Sequence, residues 1–131
     1  MRIFKYKWFH RFAGKEGITD SELKEIVKQL EKGQFYADLG GGVYKMRLVA
    51  PSEGKKGGDF RLIVMFKSEF RTFFAYGFPK SKRDNIGEKD LKNFKEQAKH
   101  LRRLSPSDDR IFKTLLTHPD AKQVLIDVVY S

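Results

Sequence analysis

The chain has 131 residues, 27 of them Lys or Arg against 17 Asp or Glu, for a net charge of +10. At 40% hydrophobic and 34% charged residues it is a globular chain of single-domain size, able to bury a core without disulfides or metals. The absence of cysteine removes disulfides, thiolate catalysis and Cys-built zinc sites, and the start Met1-Arg2-Ile3-Phe4 lacks the features of a secretory leader, so a cytoplasmic location is expected.

Arg2-Ile3-Phe4 reads as a short strand. Phe4, Trp8, Phe9 and Phe12 recur at about four-residue spacing, which predicts a helix with an aromatic face, broken by Gly14 and Gly17. Trp8 belongs to that core stripe on this reading, with His10 at its edge. Thr19-Asp20-Ser21-Glu22 is a capping box, and Leu23, Ile26, Val27 and Leu30 then mark one face of a second helix that Gly33 ends.

Gly40-Gly41-Gly42 marks a turn. With no Gly-Lys-Ser/Thr following and a strand next in line, it is not a phosphate loop. From Val43 the pattern alternates: Tyr44, Met46 and Leu48 face one way, Lys45 and Arg47 the other. Two such cations project about 6.5–7 Å apart, close to the spacing of successive phosphates on a nucleic-acid strand. Pro51 to Asp59 is a loop with Lys55 and Lys56 at its tip, suited to nonspecific phosphate contact. Phe60 to Lys67 is a strand apolar on both faces and therefore central, and Arg61 within it either pairs with an acid or lines a site. Glu69-Phe70 turns into an aromatic antiparallel neighbour, Arg71 to Tyr76, which Gly77-Phe78-Pro79 ends. Lys80, Lys82 and Arg83 emerge just beyond it. Leu91, Phe94, Ala98 and Leu101 mark a helix starting near Gly87, Ser105-Pro106 opens a last helix, and Val124 to Tyr130 is an apolar closing segment, strand or helix tail.

The charge is local. Between Lys45 and Arg83 lie ten Lys or Arg and three acids, a net of +7 out of the chain's +10. That imbalance points to a polyanion. His10, His100 and His118 lie in separate elements, so no metal site and no cofactor is expected. Phe60 and Phe74 read as core, while Tyr76 and Phe78, beside the basic turn, fit core packing and base stacking about equally. Cations around a phosphate can also support RNA cleavage by its own 2′-OH. The reaction needs a base for that hydroxyl, cations for the charge growing on the phosphate, and an acid for the leaving 5′-oxygen. Arginine suits the middle role, and a lysine crowded by other cations has a lowered pKa that suits proton transfer. Lys45, Arg47, Arg61, Lys80, Lys82 and Arg83 could supply the set if the strands bring them together.

The element order and four motifs resemble the RelE/HigB-type toxins of bacterial toxin–antitoxin systems over roughly residues 1–104. The motifs are Asp38-Leu39-Gly40-Gly41-Gly42, Lys45-Met46-Arg47, Gly57-Gly58-Asp59-Phe60-Arg61-Leu62-Ile63 and Tyr76-Gly77-Phe78-Pro79-Lys80-Ser81-Lys82-Arg83-Asp84-Asn85-Ile86. The resemblance implies an α+β fold, a single compact RelE-like domain with a small antiparallel-rich sheet on N-terminal helices and further C-terminal helices, residues 105–131 being an extension. It implies a ribosome-dependent, metal-independent endoribonuclease acting on mRNA, neutralised by an antitoxin, in this branch a helix-turn-helix protein. By position, Lys45, Arg47 and Arg61 match family residues that contact the mRNA backbone and scissile phosphate, and Lys80, Lys82 and Arg83 match the basic residues after the last strand. Arg61, Lys80, Lys82 and Arg83 are the expected catalytic group; Lys45, Arg47, Lys55, Lys56 and Tyr76 are expected to bind RNA. The catalytic Tyr or His near the C-terminus of some members has no counterpart in matching position, Tyr76 and Tyr130 being the nearest candidates, and Gly87 replaces a commoner serine cap. A related branch poisons DNA gyrase, so a non-nuclease toxin or RNA-binding module of the same fold is the alternative.

Overall fold

The run Ile3-Phe4-Lys5-Tyr6, buried throughout, forms β1 (Arg2–Tyr6), which runs directly into α1 (Lys7–Glu16). Residues 2–49, 58–67, 71–83, 85–102 and 125–130 are described by a computed structural model of the chain. Lys55 and Lys56, the turn at Glu69-Phe70, the helix expected after Ser105-Pro106 and His118 lie outside the described residues. Phe4 sits in β1 and not in the helical stripe, stacking on Phe73 at 5.1 Å. Gly14 lies inside α1; the helix closes at Gly17, whose φ is 75°, with the Ile18 N–H donating to the Ala13 carbonyl at 2.8 Å.

The second helix, α2 (Asp20–Glu31), starts at the expected capping box. The Glu22 N–H donates to Thr19 Oγ1 at 3.2 Å and the Thr19 N–H donates to Glu22 Oε1 at 3.0 Å. Leu23, Ile26, Val27 and Leu30 are its buried stripe. A strand the pattern did not reveal, β2 (Ala37–Gly40), precedes the glycine turn. Gly40, Gly41 and Gly42 all have positive φ (88°, 64° and 84°), a run that side chains resist, and it folds β2 back onto β3 (Val43–Val49).

The remaining elements are β4 (Asp59–Lys67), β5 (Arg71–Pro79), α3 (Glu88–Arg102) and β6 (Leu125–Tyr130). The sheet order is β2-β3-β4-β5-β1-β6. β3, β4 and β5 are antiparallel neighbours, β1 runs parallel to β5, and the closing segment is a strand antiparallel to β1. As its two apolar faces predicted, β4 is interior. β5 continues through Gly77-Phe78 to Pro79 instead of ending at Tyr76.

One irregularity in β5 positions everything that follows. The register slips at the Ile63/Val64 step, so Val64 faces Phe74 while Ile63 faces Tyr76. Phe74 therefore points to the α1 side, where it meets Phe9 at 5.4 Å, and Tyr76 and Phe78 point to the other face. Gly77 lies against α1: a Cβ there would come within 2.6 Å of the Phe12 ring and 3.2 Å of Leu62. α3 covers the opposite face over β3 and β4, giving helix, sheet and helix layers. Among the described residues no helix is long and apolar enough to cross a membrane.

Candidate nucleic-acid interface

Antiparallel pairing puts directly opposed residues on one face, and here it opposes two cations: Arg47 lies across from Arg61. Like charges in that position repel. The offsetting anion is Asp59, two residues before Arg61 on the same strand face. Its Oδ1 accepts from Arg61 Nη1, and its two oxygens accept from Arg47 at 3.4 Å (Nε) and 3.2 Å (Nη2). Partial burial alone would raise the Asp59 carboxyl's pKa. The hydrogen bonds and charges of Arg47 and Arg61 outweigh it and hold the group below its ordinary value. Arg61 thus both pairs with an acid and sits in the cationic cluster. It is 3% exposed, whereas the Arg47 side chain is 53% exposed.

Lys45 shares this face but is buried. Its Nζ donates to Asn85 Oδ1 at 2.6 Å, just before α3 begins. Strand alternation predicts an open ammonium; the chain entering α3 covers it. Tyr36 contributes from the other side. It precedes β2, its N–H donates to the Lys45 carbonyl at 3.0 Å, and its ring lies 4.5 Å from the Arg61 guanidinium and 5.1 Å from Lys45 Nζ. At 55% exposure Tyr36 forms an aromatic cover over the arginine.

The turn after β5 is tied to the same place. The Lys80 N–H donates to the Asp59 carbonyl at 2.8 Å and the Lys82 N–H to that of Pro79 at 3.0 Å. Arg83 lies 5.7 Å from the ring of Phe78, the cross-strand neighbour of Arg61. Lys80, Lys82 and Arg83 are exposed. Lys80 and Lys82 border a cavity of about 650 Å³ that Asp59 also lines.

Phe78 is buried, and Tyr76 is packed at 4.6 Å from Trp8, 6.1 Å from Phe78 and 6.3 Å from Phe94. The ring that reaches the surface there is Trp8, 42% exposed, contrary to its assignment to the core. α1 crosses β5 at an edge that β1 has already left, and Trp8 looks outward at that crossing. Sequence reading passed over Tyr36, Asp59 and Asn85 as partners of the cations. The Asp59-x-Arg61 spacing on a strand is a readable signal for the acid; Tyr36 had none, because β2, which it precedes, went undetected. Among the described residues no group of three or more His, Cys, Asp or Glu is gathered as a metal site.

Residues 1–119 match the RelE toxin of the RelE/RelB toxin–antitoxin system. The chain belongs to that family and is a toxin of the toxin–antitoxin type, with an antitoxin as its partner. Comparison with the curated proteins finds no match.

Proposed function

We propose that this toxin is a ribosome-dependent mRNA endoribonuclease, acting in the cytoplasm without a metal, by attack of the 2′-OH on the adjacent phosphate. The observation that carries the reading is the opposed Arg47–Arg61 pair held by a single carboxylate. An RNA phosphate entering there meets cations already aimed at one anionic point, which is where a phosphoryl transition state gathers charge. The 2′-oxygen bonds to phosphorus as the bond to the 5′-oxygen breaks. The 2′ proton passes to a base, and an acid returns a proton to the leaving oxygen. In this scheme exposed Arg83 meets the phosphate, Arg61 contributes its charge from beneath Tyr36, and Lys80 and Lys82 serve proton transfer from the turn. Arg47, with Lys55 and Lys56, holds the backbone. Lys45 and Asn85 brace Tyr36, and Tyr76 supports the aromatic floor. A helix-turn-helix antitoxin would neutralise the toxin.

The test is expression with and without the neighbouring gene, with primer extension on translated mRNA. The expected result is growth arrest with new mRNA ends, both lost in Arg47→Ala and in Arg83→Ala; the Arg83→Ala variant, which breaks no ion pair with Asp59, should keep the wild-type melting temperature. Growth arrest with intact mRNA would sink the nuclease, and induction of the DNA-damage response alongside it would favour a gyrase-directed toxin.

A further inference from the structure

Three cavities run end to end along the flank where α1 crosses β5. One of about 500 Å³ is bordered by Lys7, Trp8, Tyr76 and Phe94. The next, about 590 Å³, shares Trp8 and Tyr76 and adds Phe12, Lys15 and Lys82. Lys15 and Lys82 in turn border the third, which Asp59, the carboxylate that pairs with Arg47 and Arg61, also lines. Each is within the ~300–1,000 Å³ range of ligand sites.

The groove has a pattern. Lys7, Arg11 and Lys15, all exposed, recur every four residues on α1, which spaces them about 6 Å apart along the helix. Lys82 and Arg83 form the opposite rim, and two acids, Glu16 and Asp90, also border the groove. The exposed Trp8 indole lies at the centre, backed by Phe12 at 5.4 Å and Tyr76 at 4.6 Å. A row of cations at phosphate spacing beside a half-exposed indole fits a single strand of nucleic acid: the phosphates follow the cations and an unpaired base meets the indole's exposed part.

We propose that this groove is a second RNA subsite, holding the strand that leads to the Asp59–Arg61 site, with phosphates along Lys7, Arg11 and Lys15 and a base against Trp8. It rests on the reading of that site as RNA-directed. Its continuity with Asp59 selects the strand being cut over other RNA.

Trp8 is the chain's one tryptophan, so its fluorescence reports this groove without a label. The probe is a 2′-O-methyl oligouridine, which 2′-OH attack cannot cut, compared with inorganic tripolyphosphate at equal ionic strength. Quenching by the oligonucleotide and not by tripolyphosphate is expected. Trp8→Ala should weaken binding of the fluorescein-labelled oligonucleotide roughly 5- to 150-fold, the range for losing one stacked base. Arg11→Ala should lower the slope of log affinity against log salt by about 0.7. Unchanged fluorescence with unchanged affinity in both variants would overturn the proposal. So would equal quenching by tripolyphosphate, or loss of ribosome or antitoxin binding in Trp8→Ala with oligonucleotide affinity intact. Arg47-dependent mRNA cleavage with a silent Trp8 removes the groove alone; a responsive Trp8 without cleavage removes the nuclease and leaves the groove.

Discussion

At the residue scale, Asp59 gives the cationic face its shape. Two opposed arginines would otherwise spread apart, and a single carboxylate draws them together. Its folded-state pKa lies below the ordinary 3.8. The stability it contributes is therefore fully present above that value and lost as pH falls through the lower folded value. Denaturant unfolding of wild type and Asp59→Asn should show wild type more stable at pH 7, with the gap closing as the pH drops below about 4. Gly77 makes a second residue-scale prediction. Gly77→Ala drives a methyl group into the Phe12 ring, an overpacking that should cost about 1–3 kcal/mol in the same measurement. The glycine of the Tyr76-Gly77-Phe78 motif is thus explained by close packing of α1 on β5.

At the element scale, the site is assembled by parts that do no chemistry themselves. The entry to β2 lays Tyr36 over Arg61, and the entry to α3 brings Asn85 onto Lys45. Tyr36→Ala should lower oligoribonucleotide affinity several-fold while Tyr36→Phe keeps it, because the ring and not the hydroxyl faces the guanidinium. A fluorescence-anisotropy titration separates the two; equal loss in both would assign the effect to the hydroxyl. The capping box of α2 is remote from the cations. Thr19→Ala should cost about 1 kcal/mol of stability, read by denaturant melts, and leave the mapped mRNA ends unchanged.

At the scale of the whole molecule, the layering divides the labour. α1 and α2 close one face of the sheet around the aromatic core, while α3 leaves the Arg47 end of the other face open. The cations converge where β3, β4 and the turn after β5 meet. For a face of this kind, affinity for single-stranded RNA should fall linearly with log salt, each phosphate contact contributing about 0.7 to the slope. An affinity insensitive to salt would argue against phosphate recognition.

Much of this was legible in the order of residues. Helix stripes, the capping box, the glycine turn, the interior strand and the concentration of charge from Lys45 to Arg83 are local patterns, set by side-chain periodicity and backbone preference. The RelE motifs are local too, and the family match bears them out. What only the tertiary structure decided are the meetings across distance. Register opposed Arg47 to Arg61, and the slip in β5 turned Tyr76 and Phe78 away from Phe74. The paths into β2 and α3 covered Arg61 and Lys45. The early departure of β1 left Trp8 at the surface, although its spacing matched that of buried Phe9. Periodicity says which residues share a face of one element; which faces then meet, and which stay open to solvent, depends on how several elements pack at once.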